Sequence, residues 1–292
     1  MVRKPRLGLV VGSGGLKCAA AIGVLQVLEA EGINLDMVVG CSGGAIFGAA
    51  VASGLPANQM TELLARTWTR EATQKLDFAS LFKIALPKLL GFNDRMGILQ
   101  DQGLMAGLRL TYGADATFKD TNIPFYCVAT DFHTGEQVVL SEGNLVQAIR
   151  ASAGIPVLFK PVEWNGRLLI DGGLSDPLPV DVAIQEGADI IIAVGFETAL
   201  SESISSPINY ASQMFSILVN QLLYRKFAFY NLAYHSEIIT IVPDFGREIQ
   251  LSDVESIPYV IERGRQETLK HIAHLKQALA THNIHASTRS SV

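Results

Sequence analysis

The five residues Gly40-Cys41-Ser42-Gly43-Gly44 constrain the fold of this chain more than any other stretch. An apolar run of strand character, residues 37–39, precedes them, and small and apolar residues at helical spacing follow them. The run fits G-x-S-x-G, a motif that carries chemistry when it joins a strand to a helix. The chain must reverse sharply there, which predicts a strained backbone at Ser42. Glycine is required at Gly40 and Gly44 because a Cβ would collide with the neighbouring strand and helix.

Two functions fit this turn. In the first, Ser42 is a nucleophile whose surroundings favour negative charge, because the first amides and the dipole of a helix lie beneath it. In the second, Ser42 only caps the helix. The motif also occurs by chance, so the stretch by itself leaves both functions open.

Composition excludes some classes of protein. The chain has 292 residues, of which 49% are hydrophobic, enough for one large domain or one domain with an insertion. Lys and Arg total 23 and Asp and Glu total 28, a formal net charge of −5, so we expect no nucleic-acid partner. The cysteines Cys18, Cys41 and Cys127 show neither metal-ligand spacing nor a disulfide framework, which predicts reduced thiols and a cytoplasmic location.

A second glycine-rich turn, Gly12-Ser13-Gly14-Gly15-Leu16-Lys17, follows a predicted strand over residues 6–11 and precedes a predicted helix over 19–31. A dinucleotide-binding loop would need a glycine where Lys17 lies, and the Walker A pattern is absent. Consecutive glycine amides can instead form an oxyanion hole. Adjacent parallel strands would bring this loop next to Ser42. Lys17 either holds the loop by bonding carbonyls or is a solvated charge.

The rest of the chain alternates strands with helices. Strands are predicted over residues 125–130, 137–140, 168–170, 189–196 and 238–242, and helices over 56–69, 144–150, 179–187 and 254–280. We expect a break in the last helix near Gly264. His271 and His274 lie three residues apart on it without a third ligand, so we expect no metal site.

An acidic residue follows the strand over 168–170. Asp171-Gly172-Gly173 places a carboxylate at a strand end before two glycines, which is typical of an active-site loop. The alternative is an aspartate that caps its own turn. The residues alone do not decide between these two roles.

Two apolar stretches interrupt the alternation. Residues 75–110 indicate either a cap over the site or ordinary core. Residues 197–236 hold no charge from 203 to 224, which fits a cap lining an acyl pocket, a dimer face, a membrane-surface helix or core packing. The predicted layout is a catalytic core over 6–196, an apolar helical insertion or cap over 197–236, a strand and helix over 237–280 that complete the same domain, and a disordered tail over 281–292.

Taken in order, these blocks resemble the patatin-like phospholipase family. The likeness rests on the loop from Gly12 to Lys17, on Gly40 to Gly44, on Arg150-Ala151-Ser152-Ala153-Gly154-Ile155-Pro156 and on Asp171-Gly172-Gly173. Ala129-Thr130-Asp131 followed by Thr134-Gly135-Glu136 adds to it. The resemblance spans residues 6–196 and implies a three-layer α/β/α fold around a central, mostly parallel sheet.

The resemblance also implies hydrolysis of acyl esters of lipids by a Ser–Asp dyad, without histidine, cofactor or metal. Carried over by position, Ser42 is the nucleophile, Asp171 is the general base, and Gly14 and Gly15 are the oxyanion donors. The supporting motif positions are Gly12, Lys17, Gly40, Gly44, Gly172 and Gly173. The chain departs from the family pattern in three places, since Ser13 and Cys18 replace common glycines and Lys17 replaces the usual arginine.

Two other functions stay open. A Ser–Asp–His triad would use His235 or His271, which follow Asp171 in the order of that type. A lipid- or acyl-binding protein would keep the fold without catalysis. The expected partner is a lipid or acyl-ester substrate. We also expect transient contact with a membrane surface from the cytoplasmic side. A homodimer is a further expectation.

Overall fold

The computed structural model describes residues 4–67, 94–197, 200, 204, 207–233, 237–250 and 253–289. Eight strands within these residues form one sheet. They are β1 (Leu7–Val11), β2 (Met37–Cys41), β3 (Phe125–Asp131), β4 (Gln137–Leu140), β5 (Val162–Trp164), β6 (Arg167–Asp171), β7 (Ile190–Val194) and β8 (Glu237–Ile241).

The sheet is mixed and mostly parallel. Its order is β5-β6-β3-β2-β1-β7-β8, with β4 paired to β3 beside this path. Strands β3, β2, β1, β7 and β8 pair in parallel, whereas β4 and β6 are antiparallel to β3, and β5 is antiparallel to β6. The expected fold class is confirmed. Strand β5 was not predicted, because two half-buried residues on either side of the exposed Glu163 carry too little apolar pattern.

The helices of the described residues cover both faces of this sheet. They are α1 (Ala20–Ala30), α2 (Gly43–Ala52), α3 (Ala57–Thr67), α4 (Gln102–Tyr112), α5 (Leu145–Ser152), α6 (Val180–Gln185), α7 (Pro207–Ala233) and α8 (Ile257–Arg289). Two short 3-10 helices, Gly15–Ala19 and Gly172–Leu174, follow β1 and β6 directly.

Alternate side chains of the central strands divide the core into two layers. Leu9 and Ile192 face one layer, which α1, α2, α5 and α8 cover. Val10 and Ile191 face the other layer, which α6 and α7 cover. Strands buried on both faces are continuously apolar, which is why β1, β2 and β7 are visible in the sequence.

Helix α7 is attached to the loop after β6 and to α6 by a partly buried ion pair. Lys226 Nζ lies 2.7 Å from Asp176 Oδ2 and 3.4 Å from Asp181 Oδ1. Burial, together with the neighbouring Asp181, raises the pKa of the Asp176 carboxyl to about 7, although Lys226 opposes this shift. Asp176 follows the loop after β6, so this pair joins α7 to the segment that carries Asp171.

Helix α8 corrects two expectations. It is continuous through Gly264 instead of breaking there, and it runs to Arg289, where a disordered tail from 281 was expected. Residues 281–289 contain neither glycine nor proline that would stop a helix. The glycine serves a helix crossing, because a Cβ on Gly264 would overlap the Ala20 carbonyl and a Cβ on Gly23 would overlap the Ile261 carbonyl.

The remaining layout predictions have different outcomes. Most of the stretch predicted as a cap over 75–110 lies outside the described residues, and α4 occupies its end. Strand β8 pairs with β7, and α8 packs against α1, so both belong to the same sheet and layer as the residues before 196. The domain limits at 196 and 236 stay predictions. Within the described residues, no helix is both long and apolar enough to cross a membrane.

Candidate active site

Ser42 lies at the turn between β2 and α2, as the sequence predicts. Its backbone has φ 58° and ψ −125°, a left-handed conformation that is strained for any residue with a Cβ. The turn is tight, because a Cβ on Gly40 would lie 2.6 Å from Ala45 Cα and one on Gly44 would overlap the Val11 carbonyl. The expected reason for both glycines is therefore confirmed.

Asp171 meets Ser42 directly. Ser42 Oγ donates a hydrogen bond of 2.6 Å to Asp171 Oδ2, across 129 residues of sequence. The other carboxylate oxygen accepts from the backbone N–H of Gly173 at 2.8 Å. A Cβ on Gly172 would overlap the Val128 carbonyl, so the loop after β6 can approach β3 only with glycine there. Asp171 thus caps its own turn, as one of the two alternatives predicts, and the same side chain contacts the serine, so the cap does not exclude the active-site role.

The environment of Asp171 makes it a better proton acceptor than an ordinary carboxylate. The side chain is fully buried, and burial raises the pKa of the Asp171 carboxyl to about 6. Hydrogen bonds from Ser42 and Gly173 and the charge of Arg150 oppose this shift. A carboxylate with a raised pKa near the working pH is suited to general-base catalysis.

The glycine loop lies against the turn that carries Ser42. Strands β1 and β2 pair in parallel, and a Cβ on Gly43 would overlap the Gly15 carbonyl, which confirms the predicted juxtaposition. Gly15 has φ 56°, and Gly14 leaves no room for a side chain because its Cβ would lie 2.6 Å from Phe196. Neither the Gly14 nor the Gly15 amide has an acceptor among the described residues. Such amides can stabilise an oxyanion.

Comparison with known proteins identifies the family of this chain. The sequence profile of the patatin-like phospholipase family matches residues 9–184, more than half of the chain. The chain belongs to this family. An uncharacterized NTE family protein of Mycobacterium tuberculosis is 35% identical over 190 residues, which cover 65% of this chain and 49% of the relative. Neuropathy target esterase sws of Drosophila melanogaster is 32% identical over 190 residues, which cover 64% of this chain and 13% of the relative.

This patatin-like chain spans about half, or less, of the length of these relatives. Among solved structures, human GIVD cytosolic phospholipase A2 matches with a TM-score of 0.53 at 8% identity, over 97% of this chain and 63% of that chain. At this identity the likeness shows the fold alone, and it agrees with the mostly parallel sheet described above.

Two of the departures of this chain from the family pattern, Lys17 and Cys18, make side-chain hydrogen bonds at the glycine loop. Lys17 Nζ donates a hydrogen bond of 2.8 Å to the Glu197 carbonyl, so it bonds the segment after β7 and is not a solvated charge. Burial lowers the pKa of the Lys17 ammonium to about 8. Cys18 Sγ donates to the Gly12 carbonyl at 3.2 Å, and the Ser13 amide donates to the Pro177 carbonyl at 2.7 Å. These bonds fix both ends of the patatin-like loop.

Ser152 is a site residue whose role the sequence did not reveal. Its Oγ accepts a hydrogen bond from the Ser42 amide at 2.9 Å and donates one to the Val128 carbonyl at 2.6 Å. The resemblance to the patatin-like family singled out the block from Arg150 to Pro156 but assigned it no function. A serine at the end of α5 offered no local signal of a partner 110 residues away.

Arg150, in the same block, connects α5 to segments that do not carry Ser42. Its guanidinium is buried and contacts Asp101 Oδ2 at 3.2 Å, the Lys160 carbonyl at 2.8 Å and the face of the Phe159 ring. It therefore joins the start of α4 to the segment before β5.

Within the described residues, the histidines considered in the sequence analysis are not seen next to Ser42 or Asp171. His271 Nε2 lies 3.6 Å from Glu267 on α8, and His274 Nε2 lies 2.7 Å from Glu237. His235 lies outside the described residues. The Ser42–Asp171 hydrogen bond leaves no space for an imidazole between the two side chains.

Proposed function

We propose that this chain is a serine acyl hydrolase that cleaves carboxylic esters of lipids through a Ser42–Asp171 dyad and an acyl-enzyme. The observation that carries the proposal is the 2.6 Å hydrogen bond from the Ser42 hydroxyl to a buried carboxylate. A serine hydroxyl becomes a useful nucleophile only when a base removes its proton. Membership of the patatin-like phospholipase family supports a lipid ester as the substrate.

The proposed reaction has two halves. In the first, Asp171 takes the proton of Ser42 Oγ as this oxygen bonds to the ester carbonyl carbon. The carbonyl oxygen becomes an oxyanion, which the amides of Gly14 and Gly15 stabilise. When the C–O bond to the alcohol breaks, the leaving oxygen takes the proton from Asp171. In the second half, Asp171 takes a proton from water as the water oxygen bonds to the acyl carbon. The bond from this carbon to Ser42 Oγ then breaks, the carboxylic acid leaves, and Oγ takes the proton back from Asp171.

Each part of the site supports one step of this reaction. The loss of one oxyanion donor typically lowers the rate about 10²–10³-fold. The backbone amides of Gly14 and Gly15 can therefore stabilise the oxyanion as much as a side-chain donor would. Gly12, Gly40, Gly44, Gly172 and Gly173 allow the three loops to approach one another, and Lys17 fixes the first of them.

The substrate proposed is a phospholipid or a lysophospholipid, which would make the activity of the phospholipase A or lysophospholipase type. The family supports this class, and the site itself contains only groups that act on the ester. A cytoplasmic location, peripheral to the membrane, is proposed with it. The buried, unpaired thiols of Cys18, Cys41 and Cys127 support a reducing compartment.

A fluorophosphonate probe and a short-chain acyl ester test the proposal together. The wild-type protein should be labelled and should turn over the ester, because only an activated serine reacts with the probe. Ser42→Ala should abolish both, and Asp171→Asn should remove nearly all turnover. Ser53→Ala, at the end of α2, is the matched control and should behave like the wild type. Full turnover by either site variant would refute the assignment.

The two alternative functions give different results in the same assay. A triad predicts that His271→Ala or His235→Ala abolishes turnover, whereas the dyad predicts little change from either substitution. A lipid- or acyl-binding protein without catalysis predicts no labelling of Ser42 in the wild-type protein.

A further inference from the structure

Helix α7 presents large apolar side chains to solvent along one face. We define the α7 apolar face as Tyr210, Met214, Ile217, Leu218 and Tyr224, whose exposed fractions lie between 38% and 58%. Their spacing of three, four and seven residues places them on one side of the helix. Contiguous exposed apolar residues on a protein surface mark a contact site.

The opposite side of α7 already has partners. Val219 and Leu223 are buried against the protein, and Lys226 pairs with the buried Asp176. Large apolar side chains therefore occur on both sides of the helix, although the outer side also holds the exposed Gln221 and, next to Tyr224, the exposed Arg225. No charged residue occurs from 203 to 224, so the outer side is suited to an uncharged apolar environment.

The α7 apolar face continues into a cavity that reaches the glycine loop. This cavity has a volume of about 720 Å³, and Ile217 and Tyr224 of the face line it together with Lys17 and Glu197. Lys17 lies two residues after Gly15, the second proposed oxyanion donor. The cavity lining includes none of Ser42, Asp171, Gly14 and Gly15, so a molecule that contacts the face borders a cavity beside the end of the glycine loop.

A lipid surface fits the size of the face better than a second copy of the chain. Among the side chains that the structure describes on α7, these five, at roughly 100 Å² each, offer on the order of 500 Å², whereas each partner of a standard interface contributes about 800 Å². A membrane sets no such minimum, because helices of this kind bind by burying one apolar side among the headgroups and acyl chains. Tyrosine at both ends of the face matches the preference of this side chain for the membrane interface.

We propose that the α7 apolar face is the surface by which this chain docks on a lipid layer that holds its substrate. The inference rests on the proposed function for the choice of a lipid partner. Because the face is uncharged, docking is driven by apolar burial and needs no anionic lipid.

Vesicles of pure phosphatidylcholine provide the test. Binding is measured by flotation, and turnover is measured both on a vesicle-embedded ester and on a dissolved short-chain ester. The test variant carries Met214→Glu and Leu218→Glu, two residues that do not line the cavity. The control carries Leu110→Glu and Val139→Glu, which are exposed apolar residues on α4 and β4 and add the same charge.

The α7 variant should bind vesicles about tenfold more weakly or worse, and turnover of the embedded ester should fall in parallel. Its turnover of the dissolved ester and its fluorophosphonate labelling should match the wild type, and the control should match the wild type throughout. Wild-type binding should not fall between 0.1 and 1 M NaCl, since screening weakens only charge-driven contact. A Met214→Ser and Leu218→Ser variant repeats the test if thermal melting shows that the glutamates unfold the protein.

Several outcomes would overturn the inference. These are equal vesicle binding by the α7 variant and the wild type, an equal loss in the control, or release of the wild type by salt. A wild-type dimer that the α7 substitutions dissociate, seen by sedimentation velocity, would assign the face to a second copy instead. If the wild type takes no fluorophosphonate, the proposed function fails, whereas vesicle binding still reports on the face separately.

Discussion

The backbone amide of Ser42 donates a hydrogen bond of 2.9 Å to Ser152 Oγ, which ties the turn after β2 to the end of α5. This bond occupies the amide of the nucleophile itself, so the proposed oxyanion donors are those of the glycine loop. It also holds Ser42 in its strained conformation, because Ser152 is fixed in turn by its bond to the Val128 carbonyl.

Ser152→Ala should therefore impair catalysis more than substrate binding. The substitution leaves the buried Ser42 amide without its acceptor, which costs about 1–3 kcal/mol of folding free energy. Relaxation of the strained turn should lower kcat on a short-chain ester about tenfold or more, with a small change in KM. Ser152→Thr keeps the hydroxyl and should recover part of kcat, although its methyl group crowds a buried site. An unchanged kcat in Ser152→Ala would contradict a positioning role.

The pH dependence of turnover should follow the ionisation of Asp171. Only the carboxylate form can accept the Ser42 proton, and burial raises its pKa to about 6. The kcat/KM for a short-chain ester should fall about tenfold for each pH unit well below 6 and reach a plateau above it. With an aspartate of ordinary pKa, kcat/KM would stay unchanged as the pH falls to about 4. A flat profile between pH 4.5 and 8 would show that Asp171 does not act as the base.

Asp171→Asn should stabilise the protein at pH 8 while it abolishes turnover. A folded-state pKa raised above the unfolded value means that the neutral acid is favoured in the folded protein. Stability from this group is present below about pH 4 and is lost as pH rises through about 6. An asparagine avoids the buried charge, so the gain at pH 8 should be on the order of 2 kcal/mol. Urea unfolding measures it.

The same experiment contains its own control. The difference between Asp171→Asn and the wild type should shrink to well under half as the pH falls from 8 to about 4, where the native carboxyl is also neutral. If the asparagine variant is the less stable protein at pH 8, the loss of its contacts with Ser42 and Gly173 outweighs the relief of the buried charge, and the prediction is wrong.

Gly264→Ala should destabilise the protein although alanine is the better helix former. Its Cβ would overlap the Ala20 carbonyl in α1, so α1 and α8 must separate, at a cost of about 1–3 kcal/mol. Leu269→Ala, on an exposed side of the same helix, should stay within about 0.5 kcal/mol of the wild type. Thermal unfolding followed by circular dichroism compares the two. A neutral or stabilising effect of Gly264→Ala would show that the crossing is looser than described.

The local sequence pattern was sufficient to predict the central strands and the glycine turns that follow two of them. Strands β1, β2 and β7 are continuous apolar runs, and the turns after β1 and β2 are marked by glycines that a close approach requires. The meeting of Ser42 with Asp171 followed from the resemblance to the patatin-like family. Order along the chain alone does not place the end of an antiparallel strand such as β6 beside β2.

The features that the sequence missed depend on contacts between distant segments. Ser152 and Ser42 are 110 residues apart, and nothing in the neighbours of Ser152 indicates that its hydroxyl faces the nucleophile. Gly264 was expected to break α8 because glycine is a poor helix former. The structure shows instead that glycine at this position leaves room for α1 to pack closely against α8. Lys17 left two roles open, and its bond to the Glu197 carbonyl, 180 residues away, decided between them.

The crossing of α1 and α8 has a consequence for how the protein is made. Helix α1 begins directly after the glycine loop, and its packing partner is the last helix described, from Ile257 to Arg289. The ribosome therefore exposes Ser42 more than two hundred residues before it delivers the helix that packs behind the loop. A half-translated polypeptide therefore carries Ser42 before α8 is available to pack against α1, and the turn gains that support only once residues 257–289 have been made.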